Sequence, residues 1–351
     1  MKKMKILVCG GAGFIGSNFI RHLLENHPEY LVVNYDKLTY AGNLNNLKDV
    51  ADNKNYAFVL GDIVDLPQLN QTIKQYQIDH IINFAAETHV DRSIHGGCQD
   101  FVLTNALGVQ MLLDATRTNK IKKFINVSTD EVYGALDLDS QESFHEATPV
   151  MPNMPYAAAK AGGDLMCNAY WATHRVPVIV THCSNNYGPY QFPEKIIPYF
   201  VFKLMKGEKV PVYGDGLHVR DWIHARDHAA ALALLLEKGE PGQVYNIGSD
   251  NERPNLEVTK MILKIMGHGE DKMEFVKDRP GHDRRYAINA SKIRALGWRP
   301  RYPRDKFKNG LRETIRWYQQ NTDWVEDLWA KKKQEMNKWQ ETFCQPQNNK
   351  Q

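Results

Sequence analysis

Cysteine is scarce in this sequence: five residues in 351, at Cys9, Cys98, Cys167, Cys183 and Cys344, an odd number with no Cys-x-x-Cys pair. That excludes a disulfide framework and a zinc site built on paired thiolates. Long apolar runs are missing too, since no stretch approaches the roughly 18 residues of a membrane span. Only residues 1–5 precede the first strand-like run, which leaves no room for a signal peptide, so a cytoplasmic, reducing setting is expected. Neither sign of charge is in excess: 44 Lys and Arg against 41 Asp and Glu give +3. Lys331-Lys332-Lys333 is soon followed by Glu335 and reads as a solvated helix face, so neither nucleic acid nor membrane is expected as a partner. There is no internal repeat and no low-complexity linker, although residues 345–351 form a polar tail expected to fray. What is present, 42% hydrophobic and 24% charged residues, is ordinary globular composition for one large or two interleaved domains.

Short apolar runs at 6–9, 31–35, 56–60, 80–84, 124–127 and 178–181 alternate with helix-length amphipathic segments. Strands this short, apolar on both faces, suit a parallel sheet covered by crossover helices. The rhythm predicts an α/β fold, a Rossmann-type doubly wound parallel sheet. Past about residue 183 it loosens. Glycines and prolines gather at Gly188-Pro189, Gly214-Asp215-Gly216, Pro241-Gly242 and Arg279-Pro280-Gly281, as in loops over a site. Helical periodicity returns over 256–266 and 307–319, so a smaller C-terminal α/β substrate domain is expected, one that returns strands such as 244–247 to the main sheet. The expected division is 1–183 for a dinucleotide-binding domain carrying the catalytic residues, 184–325 for a substrate domain interleaved with it, and 326–351 for a helical extension and tail. Trp324, Leu328, Met336, Trp339 and Phe343 fall near helical spacing, as a final helix packed on its own chain or on a partner subunit requires.

Chemistry begins directly after the first strand, where Gly10-Gly11-Ala12-Gly13-Phe14-Ile15-Gly16 opens a helix expected over 17–26. Glycines at 10, 13 and 16 let the chain turn sharply and let a pyrophosphate approach the amides at the helix N-terminus, where the dipole favours negative charge. About twenty residues on, the second strand ends in Asp36. A carboxylate there accepts both ribose hydroxyls of an adenosine and repels a 2′-phosphate, so the expected cofactor is NAD rather than NADP. Asp62-Ile63 and Ala85-Ala86 end the third and fourth strands, at the edge where open α/β sheets hold ligands.

Tyr156-Ala157-Ala158-Ala159-Lys160 sets a tyrosine and a lysine on one face of a predicted helix. A nearby cation stabilises a phenolate and makes it usable as a base toward a sugar hydroxyl near neutrality. Upstream, Ser128-Thr129-Asp130-Glu131 comes straight off a strand at the same edge.

With these motifs the chain resembles the extended short-chain dehydrogenase/reductases, and within them the dTDP-glucose 4,6-dehydratase family. The likeness runs through nearly the whole chain. It includes Asp36-Lys37-Leu38-Thr39-Tyr40-Ala41-Gly42-Asn43, Ala85-Ala86-Glu87-Thr88-His89-Val90-Asp91-Arg92-Ser93, the run from Ser184 to Lys195, Tyr213-Gly214-Asp215-Gly216, Arg220-Asp221-Trp222 and the run from Arg279 to Tyr286. Thr129-Asp130-Glu131 is the discriminating triplet, because related 4-epimerases lack the acidic pair. A dehydratase removes the C5 proton and protonates the departing C6 hydroxyl, two tasks that suit carboxyls in different protonation states.

The resemblance implies the following roles. Tyr156 takes the O4 proton while hydride leaves C4 for NAD, Thr129 bonds O4, and Lys160 orients the nicotinamide ribose. Glu131 abstracts H5, Asp130 is the general acid, and the hydride returns to C6. A C4 ketone acidifies the neighbouring C5–H, so elimination follows oxidation and NAD stays tightly bound throughout. Phe14, Ile15, Lys37, Leu38, Thr39 and Asn186 join the cofactor residues already named, together with Tyr156 and Lys160. The nucleotide-diphosphate hexose falls to Asn185, Lys195, Arg220, Asn255 and His282, with Pro211 and Tyr213 along the base and Thr88, Asn105 and Thr129 at the sugar. Arg284 and Arg285 are expected in structural ion pairs, and no metal is implied. Helices over 101–118 and 155–174 imply a homodimer through a four-helix contact. The chain departs from the family at Ala157, Ala159 and Gly162-Gly163, where serines are common, and in a longer C-terminal extension. UDP-glucose 4,6-dehydration is the nearest alternative. A 4-epimerase or decarboxylase stands behind it, and a non-catalytic NAD sensor would require the catalytic residues to be lost.

Overall fold

The computed structural model describes residues 3–278 and 282–343. Arg279-Pro280-Gly281, Cys344 and the tail lie outside the described residues, as do the side chains of Met336, Trp339 and Phe343. In chain order the strands are β1 (Lys5–Cys9), β2 (Leu31–Asp36), β3 (Tyr56–Leu60), β4 (His80–Asn83), β5 (Lys123–Thr129) and β6 (Val178–Cys183). Then follow β7 (Asn185–Tyr187), β8 (Val210–Tyr213), β9 (Val219–His224), β10 (Val244–Ile247), β11 (Glu252–Pro254) and β12 (Met273–Val276).

Seven strands form one parallel sheet in the order β10-β6-β5-β4-β1-β2-β3. The order reverses direction between β1 and β4, which opens a crevice at their carboxyl ends. Alternation along β1 explains why both faces are apolar. Ile6 and Val8 join Phe19, Ile20 and Leu232 under the helices Phe14–Asn26 and Ala225–Lys238. Leu7 and Cys9 join Leu69, Leu112 and Cys167 under the helices Leu66–Tyr76, Gly108–Thr118 and Pro155–His174. Even Lys123, at the start of the buried β5, is used internally: its Nζ donates to the carbonyls of Leu235 and Leu236 at 3.0 and 2.7 Å and closes the end of their helix.

The seventh strand, β10, pairs with β6 after a long excursion, so the second half of the chain is stitched into the first sheet. The excursion builds a three-stranded sheet, β11-β9-β7, and a parallel pair, β12-β8. These rest on a separate core in which Phe200, Phe202, Ile262, Phe307, Leu311 and Trp329 interlock. The helix expected over 101–118 is instead three pieces, Gln99–Val102, a π-helical turn Leu103–Leu107 and Gly108–Thr118. The wide turn carries Asn105, whose amide bonds the main chain of Glu87.

Candidate active site

The cofactor-side residues converge at the switch point. Gly10 has φ +75°, and a Cβ on it would stand 2.5 Å from the Ala85 amide nitrogen; one on Gly16 would stand 2.4 Å from the Gly10 carbonyl oxygen. Only glycine fits either position. The helix beginning at Phe14 has no capping side chain at Gly13 and no acidic residue in its first turn, so its amides and dipole are not neutralised from within. Asp36, buried at the end of β2, accepts the amides of Ala12 and Leu38 at 2.8 Å each. Burial raises its pKa against the lowering effect of those two amides. Each carboxylate oxygen keeps a second lone pair, so the turn and Asp36 together fit a pyrophosphate and an adenosine ribose. Phe14 and Ile15 form the first helical residues, and Ala85, just past the end of β4, abuts the turn, with Ala86 next in the chain. Lys37 is ion-paired with Asp62 at 2.6 Å, Thr39 is exposed, and Ile63 is buried in the core. Asn186 is anchored to the Ser184 carbonyl at 3.0 Å and to His228 at 3.0 Å.

The catalytic candidates meet at the carboxyl end of β5. Thr129 caps the short turn Asp130–Tyr133, accepting the Glu131 amide at 3.3 Å and donating to Asp130 Oδ1 at 3.3 Å. Asp130 is 1% exposed, and its Oδ2 has no hydrogen-bond partner among the described residues. Burial, then the charges of Glu131 and Asp221, push its pKa well above the usual carboxylate range, which favours its protonated form. Tyr156 is buried in the first turn of the helix Pro155–His174, bonded to Thr129. Lys160 is expected to favour the phenolate, and two other effects oppose it. Burial and the facing Glu131 hold Tyr156 well above its ordinary value, while the Lys160 ammonium donates to the Val127 carbonyl at 2.7 Å. Burial lowers the Lys160 pKa, and Asp164, one turn on, opposes that shift.

The substrate-side candidates come from several elements. Lys195 Nζ donates to the Thr88 carbonyl at 3.0 Å, and the Thr88 hydroxyl lies 3.3 Å from the Tyr40 hydroxyl. Arg220 on β9 donates to the carbonyls of Val219 and Asp283 at 2.8 and 2.9 Å and stacks 4.3 Å over Tyr286. Asn185 and Asn255 each carry a buried side-chain oxygen without a hydrogen-bond partner among the described residues. Pro211 and the half-exposed Tyr213 line β8, and His282 meets the Tyr213 ring edge-on at 6.4 Å. Asn105 departs from its expected place at the sugar. It is 1% exposed, and both atoms of its amide bond the Glu87 main chain at 3.0 Å, so it holds the loop from beneath.

Arg284 pairs with Asp215 at 2.8 Å and Arg285 with Glu252 at 2.7 Å. Histidine spacing along the chain suggests no metal, yet folding gathers His218, Asp278 and His282 within 4.8 Å of one another. A hydrogen bond from His282 to Asp278 at 2.7 Å, the approach of His218 to the same carboxylate at 3.2 Å and a 3.7 Å ring stack account for the cluster, and Arg284 lies 3.4 Å from His218, which opposes a cation there.

Two further groups emerge only from the fold. Asp221, next to Arg220 in the chain, is buried with its pKa pushed up to about 7, chiefly by desolvation, and its charge acts on Asp130. Asp164 accepts Ser128 at 2.6 Å and Asn126 at 3.0 Å behind Lys160. Their identity as acids is plain in the sequence, but their burial is not.

Residues 7–314 match the family model described as GDP-mannose 4,6 dehydratase. The chain is 49% identical over 330 residues to a dTDP-glucose 4,6-dehydratase of Streptomyces niveus, covering 93% of this chain and 96% of that protein. Two solved dTDP-glucose 4,6-dehydratases, both with NAD bound, have the same fold. The Bacillus anthracis structure gives a TM-score of 0.86 at 47% identity over 93% of this chain and 99% of that one. The Streptomyces venezuelae structure gives 0.88 at 45% identity over 93% and 100%.

Proposed function

The chain belongs to the family of GDP-mannose and dTDP-glucose 4,6-dehydratases, and from that premise we propose that it is an NAD-dependent enzyme that converts dTDP-glucose to its 4-keto-6-deoxy product. The observation that carries the reading is the pair Asp130 and Glu131. A carboxyl 1% exposed, its pKa raised by burial, stands beside a half-buried one directly after Thr129 and against Tyr156. A 4-epimerase has no use for that pair.

Gly10, Gly13, Phe14, Ile15 and Gly16 would hold the cofactor's pyrophosphate, and Asp36, with Lys37, Leu38 and Thr39 beside it, its adenosine. Asp62, Ile63, Ala85, Ala86 and Asn186 would complete the cleft, and Lys160 would hold the second ribose. NAD, when bound there, would supply a two-electron acceptor and donor of hydride and a positive charge at the nicotinamide.

Tyr156 takes the O4 proton, with Thr129 bonding the same oxygen. Glu131 removes the C5 proton once C4 is a ketone, Asp130, whose protonated form burial favours, delivers a proton to the C6 hydroxyl that departs as water, and Glu131 returns a proton to C5 as hydride reaches C6. Arg220, Lys195 and His282 meet the diphosphate side and the unpartnered oxygens of Asn185 and Asn255 take donors from the nucleotide. Residues 1–183 would serve the cofactor and the chemistry, residues 184–325 the nucleotide sugar, and 326–351 form the extension.

Exposed apolar side chains on the two helical segments, Val102 at 49%, Leu103 at 41% and Leu165 at 57%, support a homodimer through a four-helix contact. No helix among the described residues is long and apolar enough to cross a membrane. The cytoplasm, where dinucleotide and sugar nucleotide are at hand, is the proposed compartment.

The test is mass spectrometry of the purified protein with dTDP-glucose and with UDP-glucose in deuterated water. Loss of one water with deuterium at C5, faster from dTDP-glucose, is expected. Faster turnover of UDP-glucose would move the assignment to that nucleotide, and no mass loss with NAD added would overturn dehydration.

A further inference from the structure

The aromatic residues at the C-terminal end have no part in the chemistry proposed above, yet they reach both sides of the crevice. Trp324, in the first turn of the helix Thr322–Phe343, donates its indole N–H to Asn46 Oδ1 at 2.9 Å across 278 residues of sequence. Asn46 is buried, and the other end of its amide donates to the Ala12 carbonyl at 2.9 Å. The indole fixes which end of the Asn46 amide is oxygen, and the Ala12 carbonyl fixes which end is nitrogen. Ala12 is the centre of the glycine turn, and its own amide is held by Asp36 at 2.8 Å. Trp324 therefore stands two hydrogen bonds from the candidate phosphate cradle.

The same ring reaches the other side. Tyr190, a non-glycine residue at φ +71°, packs 5.9 Å from Trp324 and 4.3 Å from Trp317, with the Arg21 guanidinium 3.9 Å over its ring. A tyrosine in the left-handed region persists only where its surroundings hold it. Tyr190 lies in the segment that leads to Lys195, and two bonds tether that segment: Asn18 to the Pro189 carbonyl at 3.1 Å and Tyr318 to the Gly188 carbonyl at 2.8 Å. Val325 and Trp329 anchor the final helix in the substrate-side core, and Lys206 pairs with Glu326 at 2.7 Å.

We propose that Trp324 is a positioning residue that couples the two halves of the site, its N–H setting the glycine turn through Asn46 and its ring setting the Tyr190–Lys195 segment. The inference rests on the reading of the glycine turn as the NAD cradle. It assigns separable jobs to two parts of one side chain, which gives it a sharp test.

Trp324→Phe keeps a ring and removes the donor. The NAD release rate of the purified protein, followed by loss of bound nucleotide on dilution, should rise about fivefold to tenfold, the effect of one lost hydrogen bond, with KM for the sugar nucleotide unchanged. Trp324→Leu removes the ring too and should also raise KM. Combining Trp324→Phe with Asn46→Ala should release NAD no faster than Asn46→Ala alone. Wild-type NAD release by Trp324→Phe, or a Trp324→Leu protein that merely melts earlier with NAD release and KM unmoved, would overturn the proposal. A wild-type protein that neither carries nor takes up NAD would overturn the cradle itself, an outcome distinct from both.

Discussion

The Lys160 ammonium lies 2.7 Å from the Val127 carbonyl and is thereby tied to the strand that carries Thr129. Tyr156, one turn earlier on the same helix, is bonded to Thr129 and held protonated by burial and by the charge of Glu131. A base whose pKa is raised works better as pH rises, so kcat should climb across the neutral range in the wild type. Tyr156→Phe should lower kcat by about 10² to 10⁴ and flatten that climb. Steady-state kinetics between pH 6 and 9, with KM little changed, is the check; near-wild-type dehydration would remove Tyr156 from the base role.

Asp130 and Glu131 should separate by partial reactions. Glu131→Gln is expected to allow oxidation at C4, seen as a rise in reduced-cofactor absorbance, while stopping solvent deuterium from entering C5. Asp130→Asn should leave C5 exchange in place and slow the loss of water. Unchanged exchange in Glu131→Gln would end its assignment as the C5 base.

Gly10→Ala meets the Ala85 amide at 2.5 Å and forces a side chain into positive φ. The strain is about 1–3 kcal/mol or more, and relief would displace the turn from its place against Ala85 past the end of β4. The expected result is purified, folded protein with its NAD content reduced at least tenfold, measured by release and chromatography of bound nucleotide.

Asp221 makes a stability prediction with a definite sign. Its carboxyl titrates near 3.8 unfolded and is pushed up to about 7 by burial in the fold. The folded state therefore binds that proton more tightly. Its stabilising contribution is complete below about pH 4 and is lost as pH rises to about 7, by up to about 4 kcal/mol at 1.4 kcal/mol per unit. Asp221→Asn keeps an acceptor for the Asn251 amide and cannot ionise. Its Tm relative to wild type should thus rise from pH 5 to pH 8, and a constant difference would contradict the shift.

The exposed Leu103 and Leu165 face solvent in the isolated chain at 41% and 57%. Glutamate at both positions would bury like charges in the proposed four-helix contact. Light scattering should then report half the wild-type mass, with the far-ultraviolet spectrum unchanged.

The elements whose signals are local could be read from the sequence alone. The strand, glycine turn and helix from Lys5 to Asn26, the acid at Asp36 and the Tyr156/Lys160 spacing each lie within one or two turns of chain, where backbone geometry dictates which residues share a face. The helix Pro155–His174 matches the span that the resemblance implies for it. The interrupted helix at Leu103–Leu107 was not, because its cause, the bond from Asn105 to Glu87, joins residues 18 apart.

Packing decided the rest. Whether Asp130 and Asp221 hold protons depends on how completely neighbours from distant strands exclude water, and whether Asn105 meets a ligand or a backbone depends on which loop arrives beside it. The return of β10 to the first sheet and the bond from Trp324 to Asn46 are likewise set by tertiary contact alone. Local sequence determined which chemical groups are available; burial and long-range contact decided their charge, their partners and hence their work.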